Sequence, residues 1–560
     1  MKKLHIVFIV ILLSVPRFLF LEQDVPSYMI GGLSQEDEPY YCIGGVNNFL
    51  ADEGRLHPDF SKTDIELLQI INTPTTYLSL KLFGSNYYGL RMPVVICSVF
   101  ITLLLALFAN KQGFPRWVIL LTIVFLSTEF YSFLIGRFYN PQIFCMLFIS
   151  LLLYIAFREK NNSKSSLFFV GFLCGFMVLG VYFYTLYIAV SVFLWYCLRA
   201  YLTKNFKMLV PLVFGGLAAL LVWISYGFVF NINFNELFGN LQAHGGGIDA
   251  DTSGDAISLP KKLILTLTQI ISTNFFRYNL FLLVVFVVLV FYSIKTIRVN
   301  KYSQLFLIIL SLFLLQNFFV QSYPFKKHVI FYPVIIIFTL ANAKEIMKWL
   351  ITNETKYLRI FLSVISLLFI YYNFKVNNSQ QYWAGFDYGY YENIPKWLAI
   401  FGLIVAVVFL LALILPEYFF KHKVVATFLV ILCILPSAYL VADQFFVMKT
   451  FFVRDALTEM KKEVSGKYVV QEFSHSFQFY SNAKPVLSNY DRPLIAKTNM
   501  KDLYQSTGAY AVVKSFRGSD KTKGWPEEEN TLVDYYNFKF TVIKKYPLRF
   551  YDYYLLKFKE

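Results

Sequence analysis

Residues 167–198 read LFFVGFLCGFMVLGVYFYTLYIAVSVFLWYCL, an apolar run without a charged side chain. A helix that crosses a bilayer takes about 20 apolar residues, and this run is longer. Gly180 and the turn-like Tyr182-Phe183-Tyr184 fall in its middle. It therefore reads as two spans, 167–182 and 183–198. The division decides the topology of everything downstream. If the run crossed once, every later loop would change sides.

Working outward, apolar runs recur near 4–21, 88–109, 117–135, 142–157, 208–230, 278–294, 303–320, 329–343, 358–374, 397–416 and 424–446. With the central pair they make about thirteen spans. The first run has the shape of a signal peptide. Pro16 and Arg17 interrupt it, however, and it ends at Glu22–Asp24 without a small-residue cleavage site, so it reads as a retained span. Composition agrees with this class. Of 560 residues 57% are hydrophobic and 15% charged, where a soluble chain carries about a quarter. The mean hydropathy is +0.53. The 61 Phe and 40 Tyr suit a lipid core and its interfaces.

A net charge of +16 would suit nucleic acid, but the bases sit in short loops and no nucleic-acid motif is present. Lys111–Arg116, Arg158–Lys164, Arg199–Lys207, Lys295–Lys301, Lys344–Arg359 and Glu417–Lys423 are short and basic. The alternate loops differ. Loop 22–76 is acidic, 231–260 is glycine-rich with Asp249, Asp251 and Asp255, and 375–396 is aromatic. By the positive-inside rule the N-terminus is cytoplasmic and the acidic loops are extracytoplasmic. Beyond about Phe446 charges become frequent. Arg454–Val464 reads as an amphipathic helix, Tyr468–Phe473 and Ala509–Phe516 as strands, and Lys539–Lys545 with Phe550–Phe558 as a closing strand pair. The fold expected is a polytopic α-helical membrane protein, residues 1–446, with a C-terminal soluble α/β domain, residues 447–560, on the extracytoplasmic side.

The cysteines, Cys42, Cys97, Cys145, Cys174, Cys197 and Cys433, contain no CxxC pair and indicate neither a disulfide scaffold nor a zinc site. His244-Gly245-Gly246-Gly247 with Asp249 and Asp251 matches no calcium or zinc template. It reads as a lid or a plain loop, and no metal ligand is assigned.

The residues that can carry chemistry lie in the extracytoplasmic segments. They are Gln35-Glu36-Asp37-Glu38-Pro39-Tyr40-Tyr41, Asn72-Thr73-Pro74-Thr75-Thr76-Tyr77, Lys81-Leu82-Phe83-Gly84, Gly89-Leu90-Arg91-Met92-Pro93, Gly136-Arg137-Phe138-Tyr139-Asn140-Pro141-Gln142 and Tyr323-Pro324-Phe325-Lys326-Lys327-His328. Adjacent carboxylates raise one another's pKa, which suits a general base. Bases on the side where positive charge is disfavoured need a reason to be there, a phosphate or a lipid headgroup.

The order of these motifs resembles that of the GT-C glycosyltransferases. The pattern is Asp-Glu-x-x-Tyr in a long first outer loop, a proline-containing stretch, Leu-Phe-Gly, then Leu-Arg-x-Pro entering the second span. The nearest groups in pattern are the protein O-mannosyltransferases and the aminoarabinose lipid A transferase. The resemblance implies an inverting transfer of sugar from a polyprenyl phosphate carrier to an acceptor at the outer leaflet, in a bacterial inner (plasma) membrane. The acceptor would be a glycolipid, lipid A, a protein hydroxyl or a polysaccharide. It implies Asp37 and Glu38 as catalytic carboxylates, and Tyr41, Arg137, Gln142, Arg277, Lys326, Lys327 and His328 as substrate contacts, the bases serving the carrier phosphate. No cofactor is required, since the lipid-phosphate sugar is a substrate, and no glycine-rich phosphate cradle is present. Arg91 reads as the anchor of a span end.

Two departures from the family pattern stand out. Thr73-Pro74-Thr75 occupies the place of Lys-Pro-Pro or His-Pro-Pro, and Pro141-Gln142 the place of Pro-Asp. Two other classes stay open. A flippase or transporter of lipid-linked sugars would carry mid-span charges or inverted repeats, which are not seen. A non-catalytic envelope scaffold is favoured by the missing carboxylate at Gln142.

Overall fold

The computed structural model describes residues 1–23, 38, 42–54, 70–128, 133, 135–157, 163–181, 185–229, 280–319, 329–365, 407, 411, 415, 438, 441–442, 451–471, 482–485, 510–516, 531–533, 539–547 and 551–558. Helices come first: α1 (Lys3–Phe18), α2 (Ile43–Asp52), α3 (Asn72–Phe83), α4 (Tyr87–Lys111), α5 (Arg116–Thr128), α6 (Gln142–Ala156), α7 (Lys164–Phe176), α8 (Leu186–Leu202), α9 (Leu209–Val229), α10 (Leu280–Thr296), α11 (Lys301–Phe319) and α12 (Tyr332–Leu350).

In the apolar run at 167–198, α7 runs on as a π-helical turn, Met177–Val181, and α8 begins at Leu186; residues 182–184 between them lie outside the described residues. The Gly180 carbonyl accepts a 3.4 Å hydrogen bond from the Ile71 backbone. Among the described residues three helical stretches are by themselves long and apolar enough to cross a membrane: Tyr87–Lys111, Lys164–Val181 and Phe206–Val229. α10 and α11, bent by 119° at the break between them, would make a fourth if counted as one span. α5, α6 and α8 are apolar but shorter. Residues 356–365 are helical. Most of the runs expected at 358–374, 397–416 and 424–446, and the loops 231–260 and 375–396, lie outside the described residues.

α4 sits centrally. α1, α3, α5, α6 and α12 all pack on it, and Leu90, Val94, Val95, Leu105 and Phe108 are fully buried. Among the described residues α7 and α9 pack extensively on each other. A methyl group at Gly171 would overlap the Leu212 carbonyl, and one at Gly215 the Phe168 carbonyl. Such backbone-on-backbone approach is how helices associate where no hydrophobic force drives them together. The opposite side of α9 exposes Val210, Val213, Phe214, Leu217 and Leu221, an apolar face that suits lipid.

Two elements differ from the sequence reading. α12 runs on to Leu350, through residues read as the start of a basic loop. Its Lys344 reaches back to donate to the Gln112 carbonyl at 3.1 Å, so the charges ride the end of a helix on flexible stems. The long first loop also contains helices, α2 entirely and the first turn of α3.

The C-terminal segment holds α13 (Phe452–Val464) and β1 (Tyr468–Gln471), β2 (Lys484–Pro485), β3 (Tyr510–Phe516), β4 (Thr531–Val533), β5 (Lys539–Pro547) and β6 (Tyr551–Phe558). They form one sheet in the order β2-β1-β3-β6-β5-β4. β1 runs parallel to β2 and β3, and β6 is antiparallel to β3 and β5, with an irregularity between Val542 and Lys544. α13 buries Val453, Ala456, Leu457, Met460 and Val464, one stripe at helical spacing. Arg454 of α13 lies 3.9 Å from Glu22, just past α1. The sheet-bearing segment thus begins at the end of the bundle where α1 stops.

Candidate active site

Three arginines at that end are almost completely buried: Arg17 at 1%, Arg91 at 0% and Arg137 at 1% exposure. Each answers a need of the backbone. The last carbonyls of a helix have no partner within it. Arg17 donates to the Leu126 carbonyl near the end of α5 at 2.5 Å. Arg137 donates to the Leu19 carbonyl at 2.5 Å and the Phe20 carbonyl at 3.1 Å, where α1 has ended. Arg91 donates to the Leu21 carbonyl and, at 2.6 Å, to that of Gln23. Cations at helix C-termini also suit the helix dipole. Two guanidiniums thus fix the path of the chain as it leaves α1. Burial first, then Arg91 and Arg17, push the Arg137 pKa down to about 9, so it stays charged at neutral pH.

Glu38 enters this cluster. Arg91 grips it with a fork, Nε to Oε1 at 2.9 Å and Nη2 to Oε2 at 2.5 Å. The Tyr139 backbone N–H donates to Oε1 at 2.5 Å. The two side chains of this ion pair are 0% and 2% exposed. The Arg91 guanidinium also lies 4.7 Å from the Tyr87 ring and 4.4 Å from the Phe138 ring. Such a planar, bidentate, stacked geometry is one a lysine cannot supply.

Arg91 can occupy this place because α4 is shaped by Pro93. Proline has no N–H to give to the carbonyl four residues back. That carbonyl, Gly89, instead accepts a 2.5 Å hydrogen bond from Ser79 Oγ of α3. α3 is fastened again by Thr76, whose hydroxyl shares a 3.0 Å hydrogen bond with that of Tyr139. α2 closes on the same turn, and a methyl group at Gly45 would come within 2.6 Å of the Thr73 carbonyl. Cys42, just before α2, donates to the Glu38 carbonyl at 3.2 Å. Burial first and Glu38 second push its thiol well above the usual range.

The expected residues divide as follows. Glu38 is held by Arg91 and Tyr139. Arg137 is buried beside Arg91 and bound to backbone carbonyls. Gln142 opens α6 at 0% exposure, and nothing among the described residues hydrogen-bonds to its side chain. Asp37, Tyr41, Arg277, Lys326, Lys327 and His328 lie outside the described residues. Arg91 does more than anchor a span end, since it is the partner of Glu38. That role was not readable locally, because the partner is 53 residues away. Asn72 and Thr73, buried in the first turn of α3, were read only as part of a motif. A signal for them exists in the inverted helical pattern of 72–83, polar at 72, 73, 76 and 79 and apolar at 78, 82 and 83. Among the described residues no three His, Cys, Asp or Glu side chains are grouped to hold a metal ion.

No curated protein matches the chain in sequence. Residues 75–226 match the family pattern of dolichyl-phosphate-mannose-protein mannosyltransferase. The segment includes Arg91, Arg137 and Gln142 but not Glu38. In three dimensions the chain is similar to ArnT from Cupriavidus metallidurans in the apo state, with a TM-score of 0.60, 12% identity, and coverage of 98% of this chain and 97% of that one. It is likewise similar to ArnT of the same organism bound to undecaprenyl phosphate, with a TM-score of 0.60, 13% identity, and coverage of 100% and 98%. The chain therefore shares the fold of ArnT, and over residues 75–226 it resembles the dolichyl-phosphate-mannose-protein mannosyltransferases.

Proposed function

We propose that the chain is a membrane glycosyltransferase that moves a sugar from a polyprenyl phosphate carrier to an acceptor at the extracytoplasmic face. The observation that carries this reading is the meeting of three distant motifs at one buried ion pair. Glu38 comes from Asp37-Glu38, Arg91 from Leu90-Arg91-Met92-Pro93, and the Tyr139 N–H from the segment that opens α6. The motifs that suggested the family by their order share one cluster. ArnT, whose fold the chain has, was solved with undecaprenyl phosphate bound.

With Glu38 engaged by Arg91, Asp37 beside it in sequence is the carboxylate assigned to the acceptor. It takes the acceptor's proton or orients its hydroxyl. Direct attack by that hydroxyl on the anomeric carbon inverts the configuration there. The carbon–oxygen bond to the phosphate breaks, and its electrons leave with the phosphate oxygen. The negative charge that grows on the leaving group calls for fixed cations, a role given to Lys326, Lys327, His328 and Arg277, with the Arg137 charge nearby. Tyr41 and Gln142 contact the sugar or the acceptor. The bilayer holds the polyprenyl tail, and no cofactor takes part. This reading places the chain in a bacterial inner membrane with its C-terminal domain outside. The acceptor is a glycolipid such as lipid A, a protein or a polysaccharide.

The test uses the purified full chain, labelled polyprenyl-phosphate sugars and acceptor extracts. Wild type transfers or hydrolyses at least one of the sugars. Asp37→Asn loses about 100-fold or more of that rate, and Lys326→Ala/Lys327→Ala weakens use of the lipid phosphate. A wild type inert toward every donor, or a fully active Asp37→Asn, sinks the reading.

A further inference from the structure

The buried face of α3 is polar except for Leu80. Asn72, Thr73, Thr76 and Ser79 are at most 6% exposed, while Leu78, Leu82 and Phe83 are exposed. Thr76 and Ser79 find partners in Tyr139 and the Gly89 carbonyl. The first turn does not. Among the described residues nothing hydrogen-bonds to Asn72 Nδ2, Asn72 Oδ1 or Thr73 Oγ1. The start of α6 repeats the pattern. Among the described residues Gln142 has neither Nε2 nor Oε1 paired, and Asn140, whose Nδ2 donates to the Ile135 and Phe138 carbonyls, has Oδ1 unpaired. The Thr76–Tyr139 hydrogen bond fastens the two segments together. Asn72 is one helical turn before Thr76, and Gln142 is three residues past Tyr139. Two helix N-termini, each with a buried and unpartnered amide at its first position, are thus tied side by side.

Buried amides without partners are costly. We infer that Asn72, Thr73, Asn140 and Gln142 form a subsite for an uncharged, polyhydroxylated sugar ring. The inference rests on the transferase reading only for the reaction that the sugar enters. The free atoms themselves select the ligand class. They include donors, the two amide NH2 groups, and acceptors, the three amide oxygens, with the Thr73 hydroxyl able to be either. A phosphate or carboxylate brings acceptors alone and leaves the amide oxygens unpaired. An ammonium group brings donors alone. Sugar hydroxyls bring both, and the subsite carries no charge to favour a charged sugar. The two departures from the family pattern, Thr73 in place of a base and Gln142 in place of an acid, both fall on these atoms. The ring comes from the carrier-linked donor or from a glycan acceptor.

The full-length protein in nanodiscs is titrated with undecaprenyl phosphate, with undecaprenyl phosphate bearing mannose or glucose, an amino sugar or a uronic acid, and with methyl mannoside and methyl glucoside. Affinity and melting temperature are read. If the ring comes from the donor, hexose-bearing lipid binds more tightly than bare lipid phosphate. If it comes from the acceptor, a methyl hexoside binds saturably. In either case Asn72→Leu and Gln142→Leu lose about tenfold of the sugar-dependent affinity. Both keep wild-type affinity for bare undecaprenyl phosphate. Both also raise the melting temperature of the ligand-free protein, because an unpaired amide has gone. Three results overturn the subsite: no sugar-dependent binding in either arm, preference for a charged sugar, or Leu variants that melt lower with sugar affinity intact, as amides held only by structural water would give. Sugar binding with these signatures but no transfer to any acceptor sinks the transferase reading alone. Transfer of a sugar that is indifferent to Asn72 and Gln142 sinks the subsite alone.

Discussion

Glu38 accepts from Arg91 Nε and Nη2 and from the Tyr139 N–H inside a water-poor cluster. Removing one partner of a buried ion pair leaves the other charge uncompensated, at a cost of about 3–5 kcal/mol. Glu38→Gln is expected to fall in that range, and Arg91→Leu to exceed it. Arg91 also serves the Leu21 and Gln23 carbonyls, which would lose their donor. Arg91→Lys should rescue little, because an ammonium cannot reproduce the fork. Melting of the detergent-solubilised variants, followed by monodispersity, checks the ranking. A Glu38→Gln protein as stable as wild type would mean that the cluster does not hold the Asp37-Glu38 segment. The sequence made Asp37-Glu38 visible as a motif and left the partner of Glu38 invisible. An ion pair closed across 53 residues leaves no local pattern in composition or period.

Helices carry a different kind of information. The run read at 142–157 and α6, Gln142–Ala156, nearly coincide, because apolar length is a local property that lipid reads directly. How helices touch is less legible. Gly171 and Gly175 lie four apart on α7, and Gly215 and Ala219 four apart on α9, a small-residue spacing that permits close backbone approach. The pattern is ambiguous in sequence, since glycine in an apolar run looks like a break as readily as a contact. The carbonyls of Leu212 and Phe168 occupy the space that a side chain would need. Gly171→Val or Gly215→Val therefore forces α7 and α9 apart, at about 1–3 kcal/mol or more for each. Gly113, whose nearest neighbour to an added methyl is Lys344 Nζ at 3.7 Å, lies in no such contact. Its positive φ of 70° makes Gly113→Val a control for backbone strain alone. Proteolysis and melting of the three variants separate the two effects. α3 shows why the rest was hard to read. Its polar stripe faces inward beside Leu80, and Leu78 and Leu82 face outward, largely the reverse of a soluble amphipathic helix.

At the scale of the molecule everything turns on parity. Counting residues 167–198 as two spans keeps the basic loops on both sides of the run in one compartment, and puts the C-terminal sheet on the side of the acidic first loop. Among the described residues α7 with its π-helical turn ends at Val181 and α8 begins at Leu186. Arg454, 3.9 Å from Glu22, ties the start of the C-terminal segment to the end of α1. The expected topology accounts for this approach by putting both on one side. Lys467 precedes β1 and Lys204 follows α8, and both are exposed, so each can carry a reporter cysteine on its own side. Cys42 adds little background, because burial holds its thiol protonated and only the thiolate reacts. Lys467→Cys is expected to react with an impermeant maleimide in intact spheroplasts, and Lys204→Cys only after lysis, with the unmodified chain as the baseline. The reversed pattern would make the central run a single crossing. The loops after the run and the C-terminal sheet would then change sides while the Asp37 loop, which precedes it, would not, and Arg454 could not lie 3.9 Å from Glu22.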